Sequence, residues 1–532
     1  MKVLICDPIS PKGIALLKER SEFNVVVLDK KHGEAELIPL VADAVAIIVR
    51  SETEISPKVL EAAPKLRVVG RAGVGVDNIN VESATQRGVV VMNTPGGNTI
   101  TTAELTFTMI LSLARKVPQA HASMVAGKWD RKSFSGVELA GKTLGILGMG
   151  RIGGEVAKRA LAFGMKVMAY DPYLTEARAQ ALGVELAVDL DAIYRVADFI
   201  TVHMPVTEQT KGMLNATAFS KMKPNVRIVN CARGEIVVEA DLLAALDSGK
   251  VAAAALDVFR EEPMAADHPF RRHPGLILTP HLGASTKEAQ EKCGIEVAEV
   301  ITSYLLTGEV RNAVNLPFLD AKTYELVKPY LVLGEKLGKL IGQIAPAAVD
   351  RLHITYGGKA QELPNIDPIS RAVITGFLSR TPKMDVNNVN VRSVAASVGL
   401  TVEEKRSSEP VTFNEWLHVQ AFNGSEKVIS AGGTFFGSPN NPRIVRLYSL
   451  PVEIPISGTL LLLTNKDRPG IVGYLGTLLA KHNVNIANMS LGRDAAGGQA
   501  LTVFVLDSKP SEACIAEMQK DQDITNVRVV TL

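Results

Sequence analysis

Cysteine and net charge are both scarce in this 532-residue sequence. The four cysteines, Cys6, Cys231, Cys293 and Cys514, lie far apart and form no CxxC pair. That spacing argues against a structural zinc site and against a disulfide framework. The formal net charge is only +2, so no global basic field favours nucleic acid. We therefore expect a protein of a reducing compartment that has no nucleic-acid partner and holds no metal.

Long hydrophobic runs are absent as well. No apolar run reaches the ~20 residues that a membrane-spanning helix needs, and the opening MKVLICDPIS is typical of a strand and a turn rather than of a signal peptide. Apolar residues make up 46% of the chain and charged residues 21%, which is ordinary for a globular protein. At roughly 100–200 residues per domain the length predicts three or four domains. We expect a cytoplasmic protein with no membrane partner.

Short apolar runs alternate with helical patterns over the first 300 residues, which predicts βαβ units and a parallel sheet in each of two lobes. The first series has predicted strands at Val3–Cys6, Val25–Leu28, Ala46–Val49, Val68–Val69 and Val89–Met92. The second has them at Thr143–Leu147, Lys166–Tyr170, Phe199–Val202, Arg227–Asn230, Ala253–Asp257 and Leu276–Thr279. A helix at Thr102–Ala114 would join the lobes. A helix at Lys287–Leu306 would return to the first lobe, which Arg311–Leu316 would close.

The chain after residue 318 has a different texture. A helix is predicted at Tyr324–Ile344, with short mixed elements after it, and Pro451 and Pro455 suggest a linker. The last unit, about 458–532, follows the order strand, helix, strand, strand, helix, strand. That order is typical of a small α+β module, and we expect it to be regulatory.

The strongest local motif is glycine-rich. Gly148, Gly150 and Gly153 follow a predicted strand and open a predicted helix. This spacing permits a tight turn, a close approach of the backbone to a pyrophosphate, and close packing of helix on strand. The next predicted strand ends at Asp171, 18 residues after Gly153. An acid there binds ribose hydroxyls and repels a 2′-phosphate, so the motif favours NAD over NADP.

Three further segments follow strands of the second series and carry Arg233, Glu262 and His281. Removing hydride from an alcohol carbon requires a base for the hydroxyl proton and a cation for a neighbouring carboxylate. His281 suits the base, Glu262 would orient it and raise its pKa, and Arg233 would hold the carboxylate. Taken singly, each residue is also compatible with an ordinary loop or cap role, and periodicity cannot bring the three together.

The motifs GMGRIGG, NCARGEIV, DVFREEP and TPHLGAST occur in that order, and residues 1–316 resemble the D-isomer-specific 2-hydroxyacid dehydrogenase family. The resemblance implies that Arg233, Glu262 and His281 are catalytic and that the cofactor is NAD. It further implies contacts from the glycine motif and from later loops to the cofactor, namely Gly148, Gly150, Arg151, Ile152, Gly153, Asp171, Cys231, Ala232, Asp257, His281, Gly283 and Ala284.

The first lobe resembles that of long-form members of the family, which oxidise 3-phospho-D-glycerate to 3-phosphohydroxypyruvate at the start of L-serine synthesis. The substrate contacts that this implies are Arg50, Ser51, Arg71, Gly73, Asn98 and Arg131. A phosphorylated acid of this kind carries about three negative charges, which the arginines would oppose. Arg131 lies in a segment that reaches a neighbouring subunit in the family. Val74 and Met204 depart from residues found in some members and lose side-chain donors there.

The rest of the chain resembles the intervening domain and the C-terminal ACT domain of the same long-form members. For the ACT unit the resemblance implies L-serine as effector, held by Asn465, Asp467 and Asn485 where two such domains pair. A dimerisation unit without a ligand is the alternative. For the intervening unit we weigh a spacer against an anion-binding regulatory site and favour the spacer. A homodimer or a homotetramer is expected.

We therefore predict an α/β protein whose two-lobed core joins a Rossmann-type doubly wound parallel sheet to a flavodoxin-like substrate lobe, followed by an α+β intervening domain and a ferredoxin-like ACT domain. The predicted boundaries are 1–98 and 284–316 for the substrate lobe, 99–283 for the NAD lobe, 317–455 for the intervening domain and 456–532 for the ACT domain. Two other functions remain open: reduction of hydroxypyruvate, glyoxylate or another 2-oxo acid, and an NAD-sensing corepressor without catalysis.

Overall fold

The computed structural model describes residues 1–317, 321–381, 386–409, 413 and 415–532. Within these ranges the strands form four sheets, of five, seven, six and four strands. None of the helices in the same ranges is long and apolar enough to cross a membrane.

The first lobe is a parallel five-stranded sheet in the order β2-β1-β3-β4-β5. This is the flavodoxin-like order, as predicted from the sequence. Its elements in chain order are β1 (Lys2–Ile5), α1 (Pro11–Lys18), β2 (Asn24–Val27), α2 (Glu34–Val41), β3 (Ala44–Val49), α3 (Pro57–Glu61), β4 (Val68–Arg71), α4 (Val81–Gln86) and β5 (Val90–Met92).

Two helices of this lobe begin at Ser-Pro pairs. The Ser10 hydroxyl accepts a hydrogen bond from the Lys12 N–H at 3.2 Å, and the Ser56 hydroxyl accepts one from the Val59 N–H at 3.4 Å. Serine satisfies an unpaired N–H of the first turn, and proline at the first helical position loses no hydrogen bond. The local sequence therefore determines where α1 and α3 begin.

The second lobe is a parallel seven-stranded sheet in the order β12-β11-β10-β9-β6-β7-β8. Counted from β6 this is 3-2-1-4-5-6 with a seventh strand, the doubly wound dinucleotide-binding order. Its elements, with the helix that returns to the first lobe, are α5 (Thr99–Arg115), α6 (Val117–Val125), β6 (Thr143–Leu147), α7 (Arg151–Ala162), β7 (Lys166–Tyr170), α8 (Glu176–Leu182), β8 (Glu185–Leu186), α9 (Leu190–Val196), β9 (Phe199–Val202), α10 (Ala216–Lys221), β10 (Val226–Asn230), α11 (Glu239–Asp247), β11 (Val251–Leu256), β12 (Leu276–Leu278) and α12 (Lys287–Thr307).

Helix α12 packs back on the first lobe through two glycines. A Cβ placed on Gly13 of α1 would lie 2.2 Å from the Gly294 carbonyl oxygen of α12, so only glycine permits this approach. The segment Arg311–Leu316, expected to close the first lobe, lies against β5, where Ala313 forms one isolated antiparallel bridge with Met92. Asn315 adds a side-chain acceptor for the Val91 N–H at 2.9 Å. A side chain thus satisfies backbone that a sixth strand would otherwise pair.

The third unit is a mixed six-stranded sheet in the order β14-β13-β15-β16-β17-β18 with helices on one face. Its elements are α13 (Ala321–Ile344), β13 (Arg351–Gly358), α14 (Asp367–Leu378), α15 (Val391–Ser397), β14 (Thr401–Ser407), β15 (Glu415–Asn423), β16 (Glu426–Phe435), β17 (Pro442–Leu447) and β18 (Leu450–Pro455). The linker predicted at Pro451 and Pro455 is therefore wrong. Both prolines lie in β18, an edge strand, where a missing N–H on the outer side costs no ladder bond.

The last unit is an antiparallel four-stranded sheet in the order β20-β21-β19-β22, which is the ferredoxin-like arrangement predicted for it. Its elements are β19 (Thr459–Lys466), α16 (Ile471–Lys481), β20 (Ile486–Arg493), β21 (Gln499–Leu506), α17 (Glu512–Met518) and β22 (Ile524–Thr531). One face of this sheet, with Leu460, Leu462 and Val530, joins the same hydrophobic core as Leu340 and Ile341 of α13. The third and fourth units therefore share buried packing.

Candidate active site

The site lies at the carboxyl ends of the strands of the seven-stranded sheet. β6 leads into the glycine motif, β10 ends at Asn230 ahead of Arg233, β11 ends ahead of Asp257, and β12 ends ahead of His281. In an open parallel sheet this edge holds the ligand crevice. The topology therefore brings loops that are far apart in sequence to one edge, facing the first lobe.

The glycine motif has the geometry of a pyrophosphate-binding turn. Gly148 has φ +98, and a Cβ there would lie 2.5 Å from the His203 carbonyl oxygen. A Cβ on Gly153 would lie 2.1 Å from the Gly148 carbonyl oxygen, whereas a Cβ on Gly150 would meet nothing within 4 Å. Gly150 is the N-cap of α7 and provides no side-chain acceptor for the first N–H groups of the helix, those of Arg151 and Ile152. Such a helix terminus attracts phosphate.

Asp171 follows β7 beside this turn. Its Oδ2 accepts a hydrogen bond from the Met149 N–H at 2.8 Å, and its Oδ1 accepts one from the Tyr173 N–H at 2.8 Å. The carboxylate is thus held against the glycine motif, where the ribose of a dinucleotide bound to that motif belongs. These residues fit NAD.

Asp257 organises the loop that carries His281. Its Oδ1 accepts from the Thr279 hydroxyl at 2.6 Å and from the Leu282 N–H at 2.7 Å, and its Oδ2 accepts from the Gly283 N–H at 2.8 Å. Burial raises the pKa of this fully buried carboxyl, and the hydrogen bonds oppose the rise. The His281 N–H also donates to the Asp257 carbonyl at 2.8 Å, which holds His281 at φ +53.

His281 and Glu262 form a close pair. His281 Nδ1 lies 2.6 Å from Glu262 Oε2, and the other oxygen of Glu262 accepts from the Phe259 N–H at 3.0 Å. The hydrogen bond to Glu262 raises the pKa of His281 although burial opposes it. For Glu262, burial raises the pKa, but the bonds from His281 and Phe259 outweigh it and the net pKa is lowered. The pair therefore favours imidazolium beside carboxylate.

Arg233 lies beside this pair. A Cβ on Gly234 would lie 2.0 Å from the Phe259 carbonyl carbon, so the loop that carries Arg233 touches the loop that carries Glu262. The charge of Arg233 acts on both partners, lowering the pKa of His281 and of Glu262. The structure thus brings together the three predicted catalytic residues, while their catalytic roles stay predictions.

A cluster of cations from the first lobe faces Arg233. Burial lowers the pKa of Arg71, and repulsion from Arg233 and Arg50 adds to this effect. Among the described residues, Arg71 Nε and Asn98 Oδ1 are buried without a hydrogen-bond partner. Buried polar groups are normally hydrogen-bonded, so these two atoms indicate a ligand. Arg50 and Gly73 lie in the same region: a Cβ on Gly73 would lie 1.3 Å from Arg71 Nη1.

A cavity of about 290 Å³ next to Arg50 adds two residues that the sequence analysis missed, Lys287 and Gln290. Both lie in the first turn of α12, directly after the TPHLGAST motif. Their position next to that motif is the sequence feature from which they could have been predicted. Ser51 adjoins Arg50 and is exposed. A second cavity, of about 490 Å³, adjoins His281 and is lined mainly by apolar side chains, among them Phe259, Met264 and Leu278.

Some predicted site residues are not brought to this centre within one chain. Arg131 is exposed on the loop after α6. The Cys231 thiol is buried against Met109 Sδ at 3.5 Å, and burial raises its pKa to about 12, so it is an unreactive thiol. Cys231 and Ala232 follow the carboxyl end of β10, and Gly283 and Ala284 follow His281. Their contacts with the cofactor stay predictions.

The three predicted effector residues each bind a neighbour in their own domain. Asn465 is fully buried and accepts from the Thr502 hydroxyl at 2.8 Å. Asp467 pairs with Arg493 at 2.7 Å, and this bond lowers its pKa. Asn485 donates to Asp507 at 2.6 Å. The effector role of these residues stays a prediction, and Asn465 has its side chain in the sheet rather than at the surface.

Three protein families match parts of this chain. Residues 107–283 match the family described as D-isomer specific 2-hydroxyacid dehydrogenase, NAD binding domain. Residues 326–448 match the D-3-phosphoglycerate dehydrogenase intervening domain, and residues 459–521 match the ACT domain. These matches fall on the seven-stranded, six-stranded and four-stranded sheets.

Relatives match over the full length. The chain is 41% identical to D-3-phosphoglycerate dehydrogenase of Archaeoglobus fulgidus, with 100% of both chains covered. It is 39% identical to the Bacillus subtilis enzyme of that name, with 100% of this chain and 99% of the relative covered. Among solved structures, a glyoxylate reductase from Paecilomyes thermophila has a TM-score of 0.55 at 28% identity, covering 59% of this chain and 98% of that one. Apo D-lactate dehydrogenase from Escherichia coli has a TM-score of 0.52 at 26% identity, covering 59% and 100%.

The two-lobed fold, the glycine motif with Asp171 and these matches define an NAD-dependent oxidoreductase of the D-isomer-specific 2-hydroxyacid dehydrogenase class. Full-length identity near 40% and the intervening and ACT domains identify one family within this class. The chain belongs to the D-3-phosphoglycerate dehydrogenase family, in its long form.

Proposed function

We propose that this enzyme oxidises 3-phospho-D-glycerate to 3-phosphohydroxypyruvate with NAD, the first step of L-serine biosynthesis. One observation carries the choice of substrate: half-buried Arg71 lies with Arg50 near Arg233, which adjoins the His281–Glu262 pair, and the buried Arg71 Nε has no hydrogen-bond partner among the described residues. Three converging cations repel one another unless an anion separates them, and a phosphorylated hydroxy acid supplies about three negative charges. Relatives carrying the corresponding name match over the whole chain.

The cofactor would be held by the glycine motif and the loops that follow β7, β10 and β12. The N–H groups at the start of α7 would bind the pyrophosphate, and Asp171 would accept hydrogen bonds from the adenosine ribose. Arg151 at the same helix start would add a positive charge for the phosphates. When bound, NAD supplies the acceptor for the hydride that leaves C2 of the substrate.

His281 would be the general base. Its Nδ1 is held by Glu262, which leaves Nε2 to take the proton of the C2 hydroxyl as the carbonyl forms. Glu262 stabilises the imidazolium that results and fixes the ring orientation. In the reverse direction the same Nε2 returns the proton. The proton thus passes to His281 and the hydride to the cofactor, so that the two-electron oxidation balances.

The substrate acid would be held between the lobes. Arg233 would bind the carboxylate, since a guanidinium matches its two oxygens. Arg50 and Arg71 would oppose the phosphate, with Asn98 and the backbone N–H groups near Ser51 and Gly73 as neutral donors. Unlike the carboxylate, the phosphate has no role in hydride transfer. Loss of Arg50 should therefore raise KM for the phosphorylated substrate more than it lowers kcat.

The assay is NADH formation with 3-phospho-D-glycerate, D-glycerate and D-2-hydroxyglutarate under matched conditions. We expect the highest kcat/KM with 3-phospho-D-glycerate. A higher value with D-glycerate would identify a hydroxypyruvate or glyoxylate reductase instead, and no turnover with any hydroxy acid would favour an NAD-sensing protein.

The variant His281→Ala should lose turnover and keep NAD binding, measured by quenching of protein fluorescence. Loss of NAD binding would contradict the role given to His281.

The active unit proposed is a homodimer. Helix α6 has no buried residue, and Val117, Val125 and Trp129 expose 57%, 74% and 79% of their surface. So much apolar surface around one helix marks a contact with another chain.

Arg131 follows Trp129, and in a second copy it would reach the substrate site that it does not reach here. Mixing inactive Arg131→Ala and His281→Ala subunits should restore activity if Arg131 acts across the dimer, and should not if it acts in its own chain.

The ACT domain is proposed to regulate the enzyme, with L-serine as effector and a paired ACT dimer as its site. A tetramer would then form through these domains. Titration of activity with L-serine, with D-serine as control, tests this proposal, because an effector must bind two states differently to shift them. Asp467→Ala should weaken inhibition without changing KM, and an unchanged response would remove Asp467 from the site.

We also propose a cytoplasmic location and the five-part division 1–98, 99–283, 284–316, 317–455 and 456–532. All four cysteines are free and buried, which agrees with a reducing compartment. For the division, the supporting observation is that β18 ends at Pro455 and β19 begins at Thr459.

A further inference from the structure

Arg233 is tied to the opposite lobe by an acid. Its Nε donates to Asp77 Oδ2 at 2.9 Å, and its Nη1 donates to its neighbour's carbonyl, that of Ala232, at 2.6 Å. A Cβ on Gly75 would lie 1.8 Å from Arg233 Nη2, so the guanidinium packs closely against the loop that carries Asp77, and only glycine leaves room for it. Arg233 follows β10 of the second lobe, whereas Asp77 follows β4 of the first.

Asp77 is exposed, but the loop around it is fixed. The Asn78 side chain donates to the Arg50 carbonyl at 2.8 Å and to the Thr53 carbonyl at 2.6 Å. Thr53 in turn is held by Asp7, whose Oδ2 accepts from its N–H at 3.2 Å. The backbone that presents Asp77 is thus joined to the backbone that presents Arg50. One short loop links the two ends of the proposed substrate site.

A guanidinium has five N–H donors in a fixed plane. With Nε on Asp77 and one Nη1 hydrogen on the Ala232 carbonyl, the other Nη1 hydrogen and both Nη2 hydrogens are left for a ligand. The contact with Asp77 also fixes the plane of the group, because Nε cannot rotate away while it is held. The Asp77 bond therefore determines which edge of Arg233 a carboxylate meets.

We propose that Asp77 is a positioning residue for the reaction: it orients Arg233 for the substrate carboxylate, and does so only while the two lobes hold their present spacing. The inference deepens the proposed function and rests on it for the role of Arg233. Asp77 touches neither substrate nor cofactor in this scheme and acts through Arg233.

If Asp77 acted only through its charge, its removal would change substrate binding in the direction opposite to the one we propose. The two explanations can therefore be tested against each other. Asp77 is an acid among Arg50, Arg71 and Arg233, and it raises the pKa of Arg71. If its charge were its only effect, removing it would strengthen the binding of an anion. If it orients Arg233, removing it weakens binding although the local charge becomes more positive.

The experiment compares Asp77→Ala and Asp77→Asn, with Glu54→Ala as control, because Glu54 is an exposed acid lining the same cavity of about 420 Å³ as Asp77. The substrate is 3-phospho-D-glycerate, or the 2-hydroxy acid that the wild-type enzyme oxidises best. Failure of the proposed function would then show as wild-type preference for another acid and would leave the Asp77 comparison intact.

We expect Asp77→Ala to raise KM for the hydroxy acid about two- to fivefold, the effect of losing an exposed, hydrogen-bonded ion pair, with KM for NAD unchanged. Asp77→Asn keeps an acceptor for Nε and should stay near wild type. Glu54→Ala should not raise KM. A lower or unchanged KM in Asp77→Ala, or an equal rise in the Ala and Asn variants, would overturn the proposal.

A binding measurement provides a second readout. In the presence of NADH the hydroxy acid cannot turn over, so its Kd can be measured by calorimetry. Asp77→Ala should weaken this Kd in the wild-type background and have no further effect on top of Arg233→Lys, which lacks the planar fork. Equal losses in both backgrounds would show that Asp77 acts independently of Arg233 and would also refute the inference. Thermal melting of each variant verifies that it is folded.

Discussion

Replacing Glu262 by Gln tests the central pair most directly. Gln keeps the size of the side chain and an oxygen that can accept from His281 Nδ1, but it removes the negative charge 2.6 Å from that nitrogen. The bond from Glu262 is the largest cause of the raised pKa of His281. We therefore expect the pKa of His281 to fall in Glu262→Gln, because burial of the ring disfavours the cation and the largest effect that opposes it is weakened.

The expected loss of activity depends on how exposed the side chains of Glu262 and His281 are to solvent. A hydrogen bond to a charged group contributes roughly 1.5–3 kcal/mol. The side chains of Glu262 and His281 are 34% and 48% exposed, so solvent screening places this pair at the low end, about 1.5 kcal/mol. At 1.36 kcal/mol per tenfold change in rate, kcat/KM for oxidation should fall by about an order of magnitude.

The pH profile of kcat/KM shows in which direction the pKa of His281 moves. With His281 as the proposed base, oxidation would require it to be neutral, so the acid limb of kcat/KM in the wild-type enzyme should report the raised pKa and should move to lower pH in Glu262→Gln. Reduction requires protonated His281, so its basic limb should also move to lower pH. Glu261→Gln, a neighbouring exposed acid, is the matched control and should leave both limbs in place. An unmoved limb in Glu262→Gln, or a shift to higher pH, would refute the reasoning.

Three further substitutions separate packing from ligand binding. Gly153→Ala forces a Cβ to 2.1 Å from the Gly148 carbonyl, so we expect a lower melting temperature, measured by calorimetry; an unchanged value would contradict the close packing. Gly150→Ala meets nothing within 4 Å and should keep the wild-type melting temperature while raising KM for NAD severalfold, because the methyl group occupies the space left for the pyrophosphate; equal NAD affinity would contradict that placement. Asp171→Ala removes the carboxylate that repels a 2′-phosphate and should lower the preference for NAD over NADP, measured as a ratio of kcat/KM values; an unchanged ratio would mean that another residue sets the preference.

Strong local patterns predicted much of the core. Every strand predicted in the two lobes from Val3 to Thr279 is present within two residues at either end, because most strands of a covered parallel sheet are continuous apolar runs whatever their partners. The positions of the glycine motif and Asp171 could likewise be predicted from the sequence, because one turn and the strand after it determine them. The linker predicted at Pro451 and Pro455 was wrong because an edge strand tolerates proline, so the two prolines do not mark the end of the sheet.

What the sequence by itself determined is the class of fold and the glycine-rich turn, since each depends on residues close together in the chain, whereas Arg233, Glu262 and His281 stay predicted catalytic residues. Only the tertiary structure decided which of them meet. Arg233 contacts Asp77 across 156 positions of sequence, and no periodicity contains that pairing. It exists because two separately folded sheets place their carboxyl edges face to face, so that charges from both lobes converge on one cleft.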